Sequence, residues 1–479
     1  MNMTRAPERK KTKSALAIFR IQCPEDTDKK SIYRNLLRLI WPAAIEFFLL
    51  QLVNMFDQIQ VGSLGETALA AVGLATQINL LFVSSFVAVN IGVTALVARA
   101  WGGGHREEVP RLLRHGLLLT AVLAAPTAVL GILFADKVLL LMNAPDAVTL
   151  RLGTDYLRIC LIGFVPVALT STITAALRGS GNTRTPMFYN LLANAINIFL
   201  NWVLINGRLG FPRLEVRGAA IATVIGNSCA FLVACWVAFR PHNVLQVRLR
   251  DLVGRINTDY VKRIWAIGFP SMGEQLLVRL GIAVFTATVA TLGTTLYAAH
   301  SVCINIQALT FMSGMAFSVA STTLTGQSLG ANRSDLAKVY SNRCALISLL
   351  FSFVLMAIYI FAGPSIIRIY NADPAIVAAG TMPLRIVALM QPFAAIQYVY
   401  SGALRGAGDT KSVALITILT MFLCRPLFAY LAIRVFHVGL VGAWVALCLD
   451  QTLCSLLIVR RYATEKWCTI VKTVQPAKI

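Results

Sequence analysis

The chain has 479 residues, of which 57% are hydrophobic and only 13% charged, and its mean hydropathy is +0.70. A soluble domain carries about a quarter charged residues, so this balance excludes an ordinary soluble enzyme, and it equally excludes a disordered chain. Lys and Arg number 43 against 21 Asp and Glu, a net charge of +22, which would suggest nucleic acid in a soluble protein but must here be tested against membrane topology first.

In chain order, residues 1–32 are polar and basic, with Arg9, Lys10, Lys11 and Lys13. They show no apolar core or small-residue cleavage site of a secretory signal and are expected to form a disordered cytoplasmic tail. About twelve apolar runs follow, each near the roughly 20 residues that a spanning helix needs. Runs at 36–60, 69–98, 112–134, 157–178, 186–206 and 218–239 make an N-lobe over 33–240. A basic, apolar-poor stretch at 241–262 reads as a linker. Runs at 264–290, 296–325, 341–363, 383–404, 413–436 and 439–460 make a C-lobe over 263–462, with a cytoplasmic tail at 463–479. The runs are too long and continuous for barrel strands, so the expected fold is an all-α integral membrane protein of twelve transmembrane helices.

Twelve spans put both termini and every second loop on one side. That side holds 32 of the 43 basic residues and the other 9, with Arg279 and Arg425 inside spans. The asymmetry is the positive-inside signal: both termini are expected in the cytoplasm, and the charge needs no nucleic acid. The ten cysteines are scattered singly and the five histidines form no ligand cluster, which argues against a zinc site, a metal centre or a disulfide framework.

The two halves repeat. Pro42, Glu46 and Gly65 recur 228 residues on as Pro270, Glu274 and Gly293, and Gly102 recurs as Gly330. Asn143-Ala-Pro-Asp146 recurs as Asn371-Ala-Asp-Pro374, and Ala176-Leu-Arg-Gly-Ser-Gly-Asn-Thr183 as Ala403-Leu-Arg-Gly-Ala-Gly-Asp-Thr410. Six spans per unit is an even number, so both units share one orientation. That is the parallel-repeat plan of secondary transporters, with a site between lobes that rock against each other.

Over nearly the whole chain after the tail, these residues resemble the MATE (multidrug and toxic compound extrusion) family. The pattern runs through Pro42, Gln51, Asp57, Val61-Gly62 and Leu69-Ala-Ala-Val-Gly73, then Leu177-Arg-Gly, Ala298-Ala-His300, Gln327-x-x-Gly330, Gln397, Leu404-Arg-Gly406, Gly442-Ala-Trp444 and Asp450-Gln451. The resemblance implies two six-helix lobes around a V-shaped central cavity. It also implies export of amphipathic, often cationic, compounds driven by inward H⁺ or Na⁺, with no other cofactor. Partners are then small molecules and membrane lipids, the protein is expected to act as a monomer, and its place is the inner (cytoplasmic) membrane.

Carboxylates inside spans are costly and functional by default. Glu46, Asn54 and Asp57 form a stripe on the first span, since eleven residues return within about 20° of the same face over roughly 16 Å. Asn190, Asn194, Asn197 and Asn201 stand at i, i+4, i+7 and i+11, one face of one helix, which must meet protein or water rather than lipid; a functional site and interhelical bonding weigh about equally for them, since the residues can do both. By the resemblance, Asp57 matches the carboxylate that binds the coupling ion, with Asn197 and Asn201 beside it and Thr223 adding a hydroxyl. Asn201 departs from the proton-linked pattern, which has Asp there. Glu274 repeats Glu46 and is weighed against a structural ion pair; Asp450 and His300 read as packing groups. Ala394 stands where some relatives carry an Asp for a C-lobe cation site. Cavity candidates are Gln51, Asn54, Gln77, Asn194, Gln307, Met312 and Met315, the methionines being flexible and suited to promiscuous contact as well as to plain packing.

No Walker A, GxSxG or HExxH motif occurs, so nothing supports an ATPase or hydrolase, and no catalytic residue is expected. The alternative to a cation-coupled antiporter is a lipid-linked precursor flippase of the wider superfamily, with typically fourteen spans and several cationic cavity groups. A receptor or scaffold would leave the intraspan carboxylates without a purpose.

Overall fold

A computed structural model of the chain describes residues 24, 28–142, 146–240, 245, 247 and 256–474, with the backbone alone for 471–474. Most of the expected disordered tail falls outside the described residues, and its last four, residues 29–32, are helical instead; most of the linker and residues 143–145 of the repeated loop also lie outside the described residues. Among the described residues, eleven helices are long and apolar enough to cross a bilayer, and a pair bent by 49° makes a twelfth when taken as one span. In chain order they are α1 (Lys29–Gly62), α2 (Glu66–Gly102), α3 (Glu108–Leu133), the bent α4 (Ala147–Ile162 and Phe164–Gly179), α5 (Arg184–Leu204) and α6 (Glu215–Phe239). The second lobe has α7 (Thr258–Ala290), α8 (Thr294–Gly330), α9 (Ser334–Phe361), α10 (Pro374–Gly406), α11 (Thr410–Val435) and α12 (Gly439–Ala463). Short helices fill Ala135–Leu141, Gly363–Tyr370 and Trp467–Val474.

The helix ends follow local chemistry. Asp28 accepts the Lys30 backbone N–H and starts α1 at Lys29, seven residues before the expected run. Asp146 accepts the Thr149 N–H at 2.7 Å, and Asp373 with Pro374 at the first helical position starts α10. Gly65 and Gly293 join the first two helices of each lobe at φ 110° and 101°, a backbone region open to glycine alone at little cost. The fourth span was expected at 157–178 and instead runs from Ala147 with a break at Gly163. Pro166 explains the break: it has no N–H, and its ring crowds the carbonyl of Ile162, four residues back. In α11 the stretches Ile418–Cys424 and Leu431–Val435 widen into π-helix around Pro426, which lets the ladder absorb a missing donor.

Each lobe lays the beginning of its first helix on the other lobe. Ile32, Leu36, Leu39 and Ile40 of α1 are buried with Phe317 and Leu324 of α8 and Ala337 of α9. Ile264 and Ile267 of α7 are buried with Val89, Val93 and Leu112 of α2 and α3. In lipid, apolar surface does not by itself drive helices together, so close approach depends on small residues. A Cβ at Gly102 would lie 1.9 Å from the Gln327 carbonyl oxygen, and one at its repeat mate Gly330 would lie 2.1 Å from that of Arg99. Gly92 and Gly268 likewise meet Ile264 and Ala88 of the opposite lobe, each at 2.6 Å. All four glycines belong to the halves of α2, α7 and α8 nearest the end where α1 begins, which is the basic end of the bundle. Toward the far end, Gly62, Gly65, Gly73 and Gly293 have nothing within 4 Å. The lobes therefore touch at the basic end and part at the other, enclosing a V-shaped cleft.

Candidate functional site

Two polar pairs, each half-buried on one side, tie α1 to α5 at one constant register. Asn190 Nδ2 donates to Glu46 Oε1 at 2.5 Å, and Asn201 Nδ2 donates to Asp57 Oδ1 at 2.6 Å. Each pair is eleven residues from the next on both helices, about 16 Å along parallel axes. The amide face of α5 therefore meets the carboxylate stripe of α1. Asn54 does not join it: it is exposed in the cleft half of α1.

Around Asp57 the groups are neutral. Asn201 is 1% exposed and its Oδ1 is buried with no partner. Asn197 lies between Asp57 and Thr223 of α6. In one orientation its amide nitrogen donates to Thr223 Oγ1 at 3.1 Å, and its oxygen faces Asp57. Turned end for end, the nitrogen donates to Asp57 Oδ1 at 3.1 Å and the oxygen faces Thr223. The turned orientation is the satisfied one, because the Asn197 nitrogen gives its N–H to the carboxylate and the oxygen accepts the Thr223 backbone N–H at 3.2 Å, while the Thr223 hydroxyl also reaches the Ala219 carbonyl at 3.0 Å. Among the described residues, Asp57 has no salt bridge to any Lys, Arg or His. One carboxylate with amide and hydroxyl oxygens can hold a proton or a hard cation such as Na⁺.

Glu46 and Glu274 each form an ion pair, the alternative weighed for Glu274, with arginines that the sequence reading did not pair with them. Arg178 Nη2 bonds Glu46 Oε1 at 2.8 Å, and Arg405 Nη2 bonds Glu274 Oε1 at 2.6 Å. The two arginines are repeat mates at the ends of α4 and α10, inside the Ala-Leu-Arg-Gly motif. The same turns are gripped from the opposite lobe: Thr323 Oγ1 donates to the Arg178 carbonyl and Gln327 Nε2 to that of Gly179, both at 3.0 Å. In the other direction, Arg99 Nη2 donates to the Ala407 carbonyl. These bonds fasten the basic end shut.

Among the described residues, the C-lobe lacks a counterpart of the Asp57 group. Phe285 stands 228 residues after Asp57 and is 2% exposed. Between α11 and α12, the helix pair corresponding to α5 and α6, Arg425 Nε bonds Asp450 Oδ2 at 2.7 Å, with both side chains buried. His300 is buried against Phe285, Tyr297 and Trp444. Ala394 is buried in α10 and supplies no ligand.

Of the cavity candidates, Gln77 is exposed, and Gln51, Asn194, Gln307, Met312 and Met315 are half-buried. Gln307 lies about 160° round α8 from the exposed Asn305, on the side turned toward its own lobe. Asn305 is the repeat mate of Gln77, and the 228-residue offset would have found it. Among the described residues there is no cluster of three His, Cys, Asp or Glu able to hold a metal ion.

The MatE family model matches residues 42–203 and again 270–431, the two lobes in turn. A protein described as "Probable multidrug resistance protein NorM" from Thermotoga maritima is 30% identical over 452 residues, covering 94% of this chain and 96% of that one. "Multidrug resistance protein MdtK" of Yersinia pestis is 26% identical over 432 residues, covering 89% and 94%. A solved structure, "Crystal structure of MATE in the straight conformation", superposes with a TM-score of 0.85 at 21% identity, over 96% of this chain and 100% of that one.

Proposed function

The chain belongs to the MatE family, and from that premise we propose that it is an H⁺- or Na⁺-coupled antiporter that exports amphipathic, often cationic, compounds by alternating access. It is a multi-pass membrane transporter of the multidrug-efflux kind and not an enzyme. The observation that carries the coupling is Asp57, an intraspan carboxylate held by two amides and by no fixed cation. A charge left without a counter-ion in a membrane needs an exchangeable one.

With the basic end in the cytoplasm, the cleft opens outward. A proton or Na⁺ entering from outside meets Asp57 with the amide nitrogens of Asn197 and Asn201 turned to the carboxylate. Uptake neutralises Asp57, and the amides of Asn197 and Asn201 then turn their oxygens to the incoming cation. These are the groups that tie α1 to α5 and α6, so the occupied and empty lobes pack differently. If substrate binds the empty form better, the ion expels it; the antagonism is a coupling free energy, equal in both directions. Closing the outer end requires release of the bonds at Arg178, Gly179 and Ala407. The flippase alternative drew on intraspan cations, and Arg425 is already neutralised by Asp450.

The test is efflux of a fluorescent cation from cells lacking their own pumps, with and without external Na⁺. Asp57→Asn is expected to cut coupled efflux at least about 100-fold, comparable to the loss of an intramembrane charge worth roughly 3 kcal/mol. Dependence of the wild type on Na⁺ or on the pH gradient names the ion. Intact coupled efflux in Asp57→Asn sinks the mechanism.

A further inference from the structure

Arg279 is an intraspan cation that the mechanism above does not use. It lies near the middle of α7, half-buried, and its Nε is buried without a hydrogen-bond partner. Among the described residues no carboxylate pairs with it. The acids that could are committed elsewhere: Glu274 to Arg405, Asp450 to Arg425, and Asp57 to the N-lobe amides. Glu274 also lies about 140° away round the same helix.

Helix phase shows what Arg279 faces. Gly268 of α7 rests against the Ala88 carbonyl of α2 in the other lobe. Arg279 is eleven residues beyond Gly268, three turns further out and within about 20° of the same face. The two helices run in opposite directions, so the same rise on α2 leads from Ala88 back eleven residues to Gln77. Gln77 is exposed, so the lobes have already parted at this height. Arg279 and Gln77 thus look at each other across the cleft. The repeat mate of Arg279 in α1 is Gln51, which is neutral, so the charge belongs to one wall only.

We infer that Arg279 is an anion-accepting subsite on the C-lobe wall of the cleft, and that it selects amphiphiles bearing a carboxylate. A guanidinium is costly at mid-membrane unless water or a partner reaches it. Its planar fork matches a carboxylate through two parallel hydrogen bonds. With Asp57 in the opposite lobe, the cleft is polarised across its width, which suits a zwitterion lying from wall to wall.

This inference rests on the export reading, and two measurements separate them. The first compares wild type, Arg279→Gln and Arg279→Lys in pump-deficient cells, using a zwitterionic fluoroquinolone and tetraphenylphosphonium, which has no anionic group. Arg279→Gln, which copies Gln51, is expected to lower fluoroquinolone export about tenfold, the usual weight of a charge-assisted pair. Phosphonium export stays unchanged, and Arg279→Lys recovers part of the loss. Equal loss of both probes, or unchanged fluoroquinolone export, overturns the subsite. The second measurement titrates the fluoroquinolone onto purified protein, without transport. Weaker binding to Arg279→Gln than to wild type supports the subsite even if cells export neither probe, a result that would sink the export reading alone. Equal affinity overturns the subsite.

Discussion

At their basic ends the two lobes are near copies; three turns further out they are not. Glu46 with Arg178 and Glu274 with Arg405 occupy the same place in the repeat and bond at 2.8 and 2.6 Å. Beyond them the N-lobe has Asp57 among amides and a hydroxyl. The C-lobe has Phe285, and its helix pair α11 and α12 carries a closed ion pair, Arg425 with Asp450. The symmetric pairs brace, within each lobe, the turns by which one lobe grips the other. The asymmetric parts differ in whether a buried charge already has its counter-ion. A protein-supplied partner makes a structural element, and a missing one leaves room for a cation from solution.

The largest expected effect breaks this comparison directly. Asp450→Asn strands Arg425 in the protein interior, and removing one member of a buried pair costs about 3–5 kcal/mol. Asp57→Asn strands no cation, so its stability should stay close to wild type while coupled efflux disappears. Thermal unfolding in detergent checks both. Replacing the C-lobe pair together, as Arg425→Met with Asp450→Leu, should recover most of the loss, because well-packed apolar groups often match a buried pair in stability. An Asp450→Asn protein as stable as wild type but dead in transport would move the coupling site into the C-lobe.

A smaller effect is expected at the seam. Gly102→Ala and Gly330→Ala each place a methyl group at about 2 Å from a backbone carbonyl of the other lobe. Overpacking of this kind costs typically about 1–3 kcal/mol, and here it can be relieved by opening the basic end. Spin-label distances across that end should therefore lengthen in both variants, and by similar amounts if the lobes are fastened symmetrically. Lengthening in only one would show that the symmetry of the seam is geometric and not energetic.

How much of this was legible in the sequence depends on the reach of the signal. The twelve spans and the repeat were legible because length, apolarity and a constant offset are properties of the chain alone. Asp57 and the α5 amides were legible as two separate faces, and each face demanded a polar neighbour. That they meet each other, at a shared eleven-residue step, is tertiary information. The partners of Glu46 and Glu274 lie over 130 residues away, although both arginines sit in the repeated motif, which was a usable sign. Asn305 was hidden behind the nearby Gln307 until helix phase separated them. The break at Gly163 was missed because the run before it is only moderately apolar, so the hydropathy window began too late.

The smallest prediction sharpens the N-lobe side of the comparison. Thr223 holds the Asn197 oxygen through its backbone N–H, with its hydroxyl shared between that oxygen and the Ala219 carbonyl. This keeps the Asn197 nitrogen on the empty carboxylate, and the amide must turn before its oxygen can meet a cation. Thr223→Val keeps the shape and the backbone N–H and removes the hydroxyl. One interhelical hydrogen bond in a membrane is worth about 0.6 kcal/mol, so unfolding should barely change. The amide then turns more easily toward an incoming cation. Half-saturation by the coupling cation should fall by up to roughly threefold, which is the same 0.6 kcal/mol expressed as a ratio of affinities. The maximal rate should hold, since no group that binds the ion is lost. A titration of efflux against Na⁺ or external pH reads this directly. A fall in maximal rate with unchanged half-saturation would show that Thr223 acts on the rocking of the lobe and not on the poise of the site.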